Sequence, residues 1–304
     1  MNKPILILTL LGLSACSSFI EKRAASSTYE IMKRGNVAAG RLADVELARA
    51  AMPGGIVQSA AFAAAYPDHR GFRELHAEAV CQYAIGFVFD DWEAATLEGR
   101  ADEARRIATR LDGLLATCVD LSLGLLPDAW RAATDDARWT ALLSSMNAAQ
   151  APFVLQIASA DTVRIALNPL AGLTRLDRTI ATLTRITQVA PGLRDANAEL
   201  LLGTLLANRS RILGGPDGEA QFAAARRLLG PSALLVDVTY ARAIAAARQD
   251  RALFLRLLDA ALAADVSQWP ERRLANELAR LKAERYRAAV DVLIPPLAAK
   301  RSRR

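Results

Sequence analysis

Residues 200–289 decide the fold of this chain, because apolar helical runs alternate there with turn-forming residues. The stretch opens with LLLGTLLANR (200–209), turns at GGPDG (214–218) and continues through QDRALF (249–254) to RLAN (273–276). Apolar residues recur at helical spacing, and Gly, Pro and Asp fall where helices should end and begin. The pattern predicts four successive helices. It contains no nucleophile motif, metal-ligand cluster or phosphate-binding loop.

The composition of the whole chain favours packed helices. Of its 304 residues 52% are apolar, mostly Ala and Leu with few β-branched runs. A Pro-containing turn precedes a Leu-bearing helix at Pro67 and again at Pro191, which resembles a weak internal repeat. We expect an all-α fold of stacked antiparallel helix pairs in a tetratricopeptide-like array, where neighbouring pairs share one core. Chance similarity among Ala- and Leu-rich helices is the alternative explanation of the repeat.

The net charge of +6 does not indicate a nucleic-acid-binding protein. Most of it comes from Lys3 and from four basic residues in the tail, residues 295–304, which leaves the rest of the chain near +1. A nucleic-acid binder needs a basic face on its folded body. The tail is predicted to be a solvated end, with a membrane-surface or partner contact as the alternative.

The first residues are typical of a lipoprotein signal peptide. Lys3 precedes a short apolar run over 5–13, and Leu13, Ser14, Ala15 and Cys16 resemble the bacterial lipobox. We predict cleavage after residue 15 and acylation of Cys16. The acylated cysteine anchors the protein stably to a membrane when it carries two or more acyl chains. An ordinary secretory signal is the alternative. In signals that resemble the lipobox, a Ser rather than an Asp after the cysteine, as at Ser17, favours transport to the outer membrane. Residues 16–40 are interpreted as a lipidated tether.

The body is predicted to have two helical halves. Residues 41–161 form the N-terminal half and residues 173–294 the C-terminal half. Asn168, Pro169 and Gly172 interrupt the apolar pattern between them, so residues 162–172 are expected to be a buried or partly buried connection.

Candidate catalytic and metal-binding residues are few. His69 and His76 are the only histidines, and their spacing of seven does not match the i, i+4 pair of a zinc protease. Asp90, Asp91 and Glu93 raise the alternative of a carboxylate-based enzyme, although Asp at a helix boundary is an ordinary N-cap. Since nucleophile elbows and phosphate loops are also missing from the sequence, we expect no cofactor, no metal and no enzymatic activity.

Cys81 and Cys118 are the two cysteines outside the lipobox, and each lies in an apolar helical run. Free buried thiols are the favoured state. A disulfide is the alternative that an oxidising periplasm permits.

The C-terminal pattern resembles that of a known family. The matching residues, called here the signature residues, are Gly203, Gly214, Gly215, Asp217, Asp250, Phe254, Leu274 and Asn276. Together with the short apolar segments around them, these residues make the chain similar to the T component of tripartite ATP-independent periplasmic (TRAP) transporters. The similarity is strong over residues 199–293 and loose before them. We expect structural or partner-facing roles for them: a left-handed turn at Gly214 and Gly215, a cap at Asp217, and helix-end or interhelix hydrogen bonds from Asp250 and Asn276.

The resemblance implies an accessory scaffold that binds a periplasmic solute-binding protein. It also implies a homo-oligomer with a central channel and apolar or organic-acid ligands. The sequence departs from the family pattern at residues 152–157, where a Trp-rich helix is usual, and at residues 208–213, where a paired-Pro turn is usual. A structural outer-membrane scaffold for envelope assembly and an enzyme are the two alternative functions.

The lipobox predicts a measurable modification. Treating cells with globomycin, which inhibits the lipoprotein signal peptidase, should make the full chain accumulate as an uncleaved precursor, seen as a slower band on a gel. Radiolabelled palmitate should appear in the wild-type protein and be absent after Cys16→Ala. An unlipidated, globomycin-insensitive product would contradict the anchor.

Overall fold

The structure is a computed structural model that describes the backbone of residues 5–296 and the side chains of residues 22–296. Cys16 and the whole predicted signal peptide therefore lie outside the residues with described side chains, and the basic tail lies outside apart from residues 295 and 296. In the described part every regular element is helical. The α-helices are α1 (Ile5–Ala39), α2 (Val45–Ala65), α3 (Arg70–Tyr83), α4 (Phe89–Leu97), α5 (Ala101–Leu123), α6 (Asp128–Ala132), α7 (Asp136–Ser145), α8 (Ala151–Leu167), α9 (Pro169–Val189), α10 (Leu193–Leu213), α11 (Glu219–Leu229), α12 (Leu234–Tyr240), α13 (Arg251–Ala263), α14 (Arg273–Ala288) and α15 (Val290–Leu293).

Consecutive long helices pack against each other, so the predicted all-α array of helix pairs is confirmed. The central element is α8, which contacts α5 on one side and α9 on the other. Every side chain from residue 153 to residue 163 is buried. A helix with apolar residues on all sides is stable only when other helices surround it, and α8 therefore occupies the core.

Two helices continue through positions where proline or the predicted connection favours an interruption. Helix α2 passes through Pro53 without a break. The loss of one backbone hydrogen bond is offset by packing on α3, including the stacked rings of Phe62 and Phe72. Helix α8 continues to Leu167, beyond the predicted end near residue 160, so the predicted connection over 162–172 reduces to a turn at Asn168. The Asn168 side chain caps α9 by accepting a hydrogen bond from the Ala171 N–H.

The deciding stretch contains five helices rather than four. Gly230 adopts a positive φ of 64° and ends α11. A 3₁₀ turn, Gly230–Ser232, then leads into the short helix α12, and a π-helical turn, Ala241–Ala245, extends it. The extra helix was missed because α12 is too short to show a full helical period.

The predicted tether is helical and folds onto the body. On α1, Ala25 is buried, and the ring of Tyr29 lies 6.0 Å from that of Phe72 in an edge-on arrangement. A Cβ atom at Gly71 would lie 2.6 Å from the Tyr29 ring, so this close approach depends on glycine. From about residue 25 onward, the chain is therefore held against α3.

Cys81 and Cys118 form a disulfide that joins α3 to α5, with Cα atoms 5.0 Å apart. The expectation of free thiols is therefore wrong. Both cysteines lie in apolar runs because the two helices pack directly against each other. Closing a loop of this length, 37 residues, corresponds to about 4 kcal/mol of stabilisation on the chain-entropy model.

The search for membrane-spanning segments was negative for the described residues: none of their helices has the combination of length and hydropathy needed to cross a bilayer.

The turn after α10 gives a test of backbone conformation. Gly214 has φ 74° and ψ −177°, a region open in practice only to glycine. Gly214→Ala should lower the free energy of unfolding by about 1–3 kcal/mol, although no atom lies within 4 Å of the added Cβ. Urea unfolding followed by circular dichroism measures the change.

Gly113→Ala is the matched control. Gly113 is exposed inside α5 with equally open space around its Cβ position. This substitution should stabilise the protein by roughly 0.5–1 kcal/mol because alanine favours a helix interior. Equal effects at the two positions would show that the positive φ at Gly214 is not required.

Candidate functional site

Two of the three carboxylates considered for catalysis, Asp90 and Glu93, form a largely buried cluster with polar side chains of α14. Asp90 is only 2% exposed. Its two oxygens accept hydrogen bonds from Arg285 at 2.9 and 2.8 Å, and Lys282 lies 2.7 Å from Oδ1. Glu93 accepts hydrogen bonds from the Tyr286 hydroxyl at 2.7 Å and from Lys282 at 3.1 Å. We call these five residues the α4–α14 cluster.

The charges of the α4–α14 cluster hold one another ionised. Burial alone would raise the pKa of Asp90, but the hydrogen bond from Arg285 and the charge of Lys282 lower it to about 2. Burial would lower the pKa of Lys282, and the carboxylates raise it. A carboxylate with so low a pKa is a poor proton donor or acceptor near neutral pH. The cluster is therefore suited to joining the two ends of the array.

Asp91 has a different environment from Asp90. Burial raises its pKa, while the nearby Arg49 guanidinium opposes the rise. Neither residue has the predicted N-cap role, because a π-helical turn, Ala84–Val88, connects α3 to α4 without a break. Lys282 and Arg285 could not be recognised as partners from the sequence, since about 190 residues separate them from α4.

The two histidines do not form a metal site. His69 directly precedes α3 at its N-cap position and packs against Phe72, with ring centroids 4.6 Å apart. His76 lies 3.2 Å from the Ser59 hydroxyl through Nδ1, and burial lowers its pKa. No group of three His, Cys, Asp or Glu side chains with metal-binding geometry occurs among the residues that the structure describes.

The signature glycine Gly203 and the nearby Gly218 lie at the contact between α10 and α11, and the signature glycines Gly214 and Gly215 lie in the turn. A Cβ at Gly203 would lie 2.8 Å from the Phe222 ring, and one at Gly218 would lie 2.2 Å from the Gly203 carbonyl oxygen. The two backbones therefore approach closely. Gly214 and Gly215 both have the positive φ expected for the turn.

The other signature residues make packing contacts or cap helices. Asp250 caps α13 by accepting a hydrogen bond from the Leu253 N–H. The N-cap position of α11 is Gly218, and Asp217, one residue before it, accepts a hydrogen bond from the N–H of Glu219, the first residue of the helix. Asn276 accepts from the Leu234 N–H at 3.2 Å and donates to the Ser232 carbonyl at 3.0 Å. Phe254 is fully buried, and Leu274 packs against the N-terminal core. A partner-facing role for the signature stays a prediction.

One end of the α9–α10 pair exposes large apolar side chains. The two helices are consecutive and packed together, and the ion pair between Arg209 and Asp177, 3.4 Å apart, fixes their antiparallel register. The start of α9 and the end of α10 therefore lie at the same end. Four aliphatic side chains there are 49–83% exposed, and we call them the apolar end: Leu170, Leu173, Ile212 and Leu213.

Two cavities lie beside the opposite end of α10. The larger, of about 390 Å³, is bounded by the end of α9, the start of α10 and one face of α11. The smaller, of about 210 Å³, lies between α10, α12 and α14. Buried Glu199 and exposed Arg227 are the charged side chains that line the larger cavity. We call it the Glu199 cavity.

The start of α10 has a backbone that separates the two cavities. Gly192 has a positive φ, and so do Arg194, Asp195 and Ala196. Each non-glycine residue in this left-handed region costs about 1–2 kcal/mol. Two ion pairs help to hold the turn, Arg194 with Glu78 at 2.8 Å and Arg272 with Asp195 at 2.9 Å. Such strain is concentrated at functional sites in proteins.

Sequence reasoning missed both Glu199 and Arg227. The sequence signal for Glu199 was that it is the single acidic residue in the apolar run ANAELLLG, residues 196–203. A carboxylate buried among apolar side chains is expected to have a hydrogen-bond or charged partner. Both cavities lie in the C-terminal half of the chain.

Comparison with known families gives one match. The model of a family described as TRAP transporter T-component matches residues 42–293. A comparison with curated protein sequences gave no significant match.

The α4–α14 cluster should make stability sensitive to acid. Because folding lowers the pKa of Asp90 from 3.8 to about 2, its contribution is fully present above about pH 4 and is lost as the pH falls towards 2. A shift of this size corresponds to about 2 kcal/mol. Urea unfolding between pH 7 and pH 2.5 measures the loss.

Asp90→Asn tests the same cluster at neutral pH. It removes the buried carboxylate that pairs with Lys282 and Arg285, which keep only Glu93. The substitution should cost about 3 kcal/mol at pH 7 and flatten the acid dependence. Asp102→Asn removes an exposed carboxylate that pairs with Arg105 on the surface of α5, and it should change stability little. If both variants unfold alike, the cluster does not hold the array together.

Proposed function

Because this chain belongs to the TRAP transporter T-component family, whose model matches residues 42–293, we propose that it is a non-enzymatic scaffold that binds the transporter's periplasmic solute-binding protein. Membership of the family makes the chain an accessory component of a TRAP transporter. The solute-binding protein is the partner that the sequence resemblance implies.

The apolar end of α9 and α10 is the observation that carries this proposal. Scattered single apolar residues are normal on a protein surface, but a group at one end of a helix pair is typical of an interaction site. Leu170 and Leu173 start α9, and Ile212 and Leu213 finish α10. The last two fall in residues 208–213, where the sequence departs from the family pattern, so this end is suited to recognising a specific partner.

The other departure, residues 152–157, has a different consequence. It lies in the buried part of α8, where Phe153, Val154 and Leu155 belong to the main core. A change there alters packing and leaves the surface of the protein unchanged. Partner choice is therefore assigned to the apolar end.

The proposed location is the periplasmic side of the outer membrane, with the chain anchored through acylated Cys16. The Cys81–Cys118 bridge supports an oxidising compartment. Because Ala25 is buried and Tyr29 packs on α3, only the residues before about position 25 can act as the tether to the anchor. A homo-oligomer and a bound small ligand, both implied by the resemblance, complete the proposal.

The test is capture of the partner from intact cells. The full-length chain, tagged and crosslinked in the periplasm, should recover a solute-binding protein. Leu173→Asp and Leu213→Asp should each reduce that recovery at least fivefold, because a charge in an apolar contact must be desolvated without a partner. Quantitative mass spectrometry measures the recovery.

Val57→Asp is the control, because Val57 is an equally exposed aliphatic residue on a different helix, α2. It should leave recovery unchanged. Capture of envelope-assembly factors alone would reject the transport role in favour of a structural scaffold. Equal losses in all three variants would reject the apolar end as the docking site.

A further inference from the structure

Glu199, which lines the Glu199 cavity, has a buried carboxylate oxygen with no partner. Glu199 is 3% exposed. Its Oε1 accepts a hydrogen bond from the Gly192 N–H at 2.9 Å, whereas Oε2 is buried and has no hydrogen-bond partner. Buried polar atoms are almost always satisfied, and a buried charge without a partner is costly. Oε2 lacks a donor that a ligand can supply.

The left-handed start of α10 contributes to this arrangement. Gly192 lies in the turn that precedes the helix, and its N–H fixes one oxygen of the Glu199 side chain. The carboxylate is therefore held in place at the cavity wall before any ligand arrives. A fixed charge of this kind binds a cation with little loss of side-chain entropy.

A positive side chain lines the same cavity without neutralising Glu199. Arg227 of α11 is exposed and forms no ion pair with any residue in the described part of the chain. Its neighbour Arg226 differs, because it pairs with Asp237. The cavity is therefore lined by one buried acidic and one exposed basic side chain, together with the small or apolar side chains of Ala220, Ala224 and Leu228.

We propose that the Glu199 cavity binds a small zwitterion that resembles an aliphatic α-amino acid. Its ammonium group donates to Oε2 of Glu199, its carboxylate pairs with Arg227, and its aliphatic part packs on α11. The cavity volume of about 390 Å³ is within the range of small-molecule sites. The inference refines the ligand named in the proposed function and does not depend on docking to a solute-binding protein.

Other ligand classes fit the cavity less well. A simple organic acid would satisfy Arg227 but would place a second negative charge beside Glu199. A purely apolar ligand would leave Oε2 unpaired. A divalent cation needs several oxygen ligands, and apart from Glu199 the side chains that line the cavity offer only the neutral oxygens of Gln221 and Thr187.

Matched probes with one carbon skeleton separate these classes. Isothermal titration calorimetry on the full-length chain in mild detergent would compare L-leucine, 3-methylbutylamine, which lacks the carboxylate, and 4-methylpentanoate, which lacks the ammonium group. We expect leucine to bind most tightly, the amine at least fivefold more weakly, and 4-methylpentanoate without saturation. No saturable binding of leucine or the amine, or binding of the acid as tight as that of leucine, would overturn the proposal.

Three variants assign the contacts. Glu199→Gln keeps the shape and the acceptor for Gly192, and it should weaken leucine and the amine at least tenfold. Arg227→Gln should weaken leucine at least fivefold and leave the amine unchanged. Arg226→Gln, one position away and outside the cavity lining, is the control and should bind all probes as the wild type does. Unchanged leucine binding in Glu199→Gln would overturn the assignment.

Thermal melting of the unliganded variants excludes a purely structural role for Glu199. Because Glu199→Gln removes a buried charge without a partner, the empty variant should melt at or above the wild-type temperature while its leucine affinity falls. A lower melting temperature with unchanged affinity would make Glu199 a packing residue. None of these measurements involves the solute-binding protein, so a failed capture experiment leaves them interpretable.

Discussion

The complete burial of α8 is the constraint on which the rest of the fold depends. Eleven consecutive side chains, residues 153–163, are shielded from water, and a helix in that position needs neighbours on every side. Helices α5, α9 and α10 provide them. The few hydroxyls within the run are satisfied locally: Ser159 donates to the Leu155 carbonyl and Thr162 to the Ala158 carbonyl. Packing around α8 thus joins the two halves into a shared core.

The ends of the array are joined by charge and by backbone contacts. Helix α14 returns to the N-terminal helices, where the α4–α14 cluster surrounds Asp90, and the Leu274 N–H donates to the Gly40 carbonyl. An ion pair buried to this degree is costly to form but even more costly to break on one side only. It therefore contributes to specifying which helices meet, and it gives Asp90 and Glu93 a structural role.

Helix α10 is the element where packing and the proposed functions meet. Its middle holds Gly203 against α11, and its two ends carry the features assigned to function. Leu213 belongs to the apolar end, and Glu199 follows the left-handed start beside the cavity. A single helix thus separates partner recognition from ligand recognition by much of its length. The strained turn at its start is maintained by ion pairs to Glu78 and Arg272, which link the cavity wall to both halves of the chain.

The sequence by itself determined the helical class and the family, because apolar periodicity and turn residues are local properties that a single chain displays. It also indicated the Gly214 turn and the Asp250 cap, which depend on neighbours a few residues away. Only the tertiary structure decided the Cys81–Cys118 bridge, the partners of Asp90 and the unpaired oxygen of Glu199. Each of these depends on which helix lies beside which, and that is set by packing between residues distant in the chain.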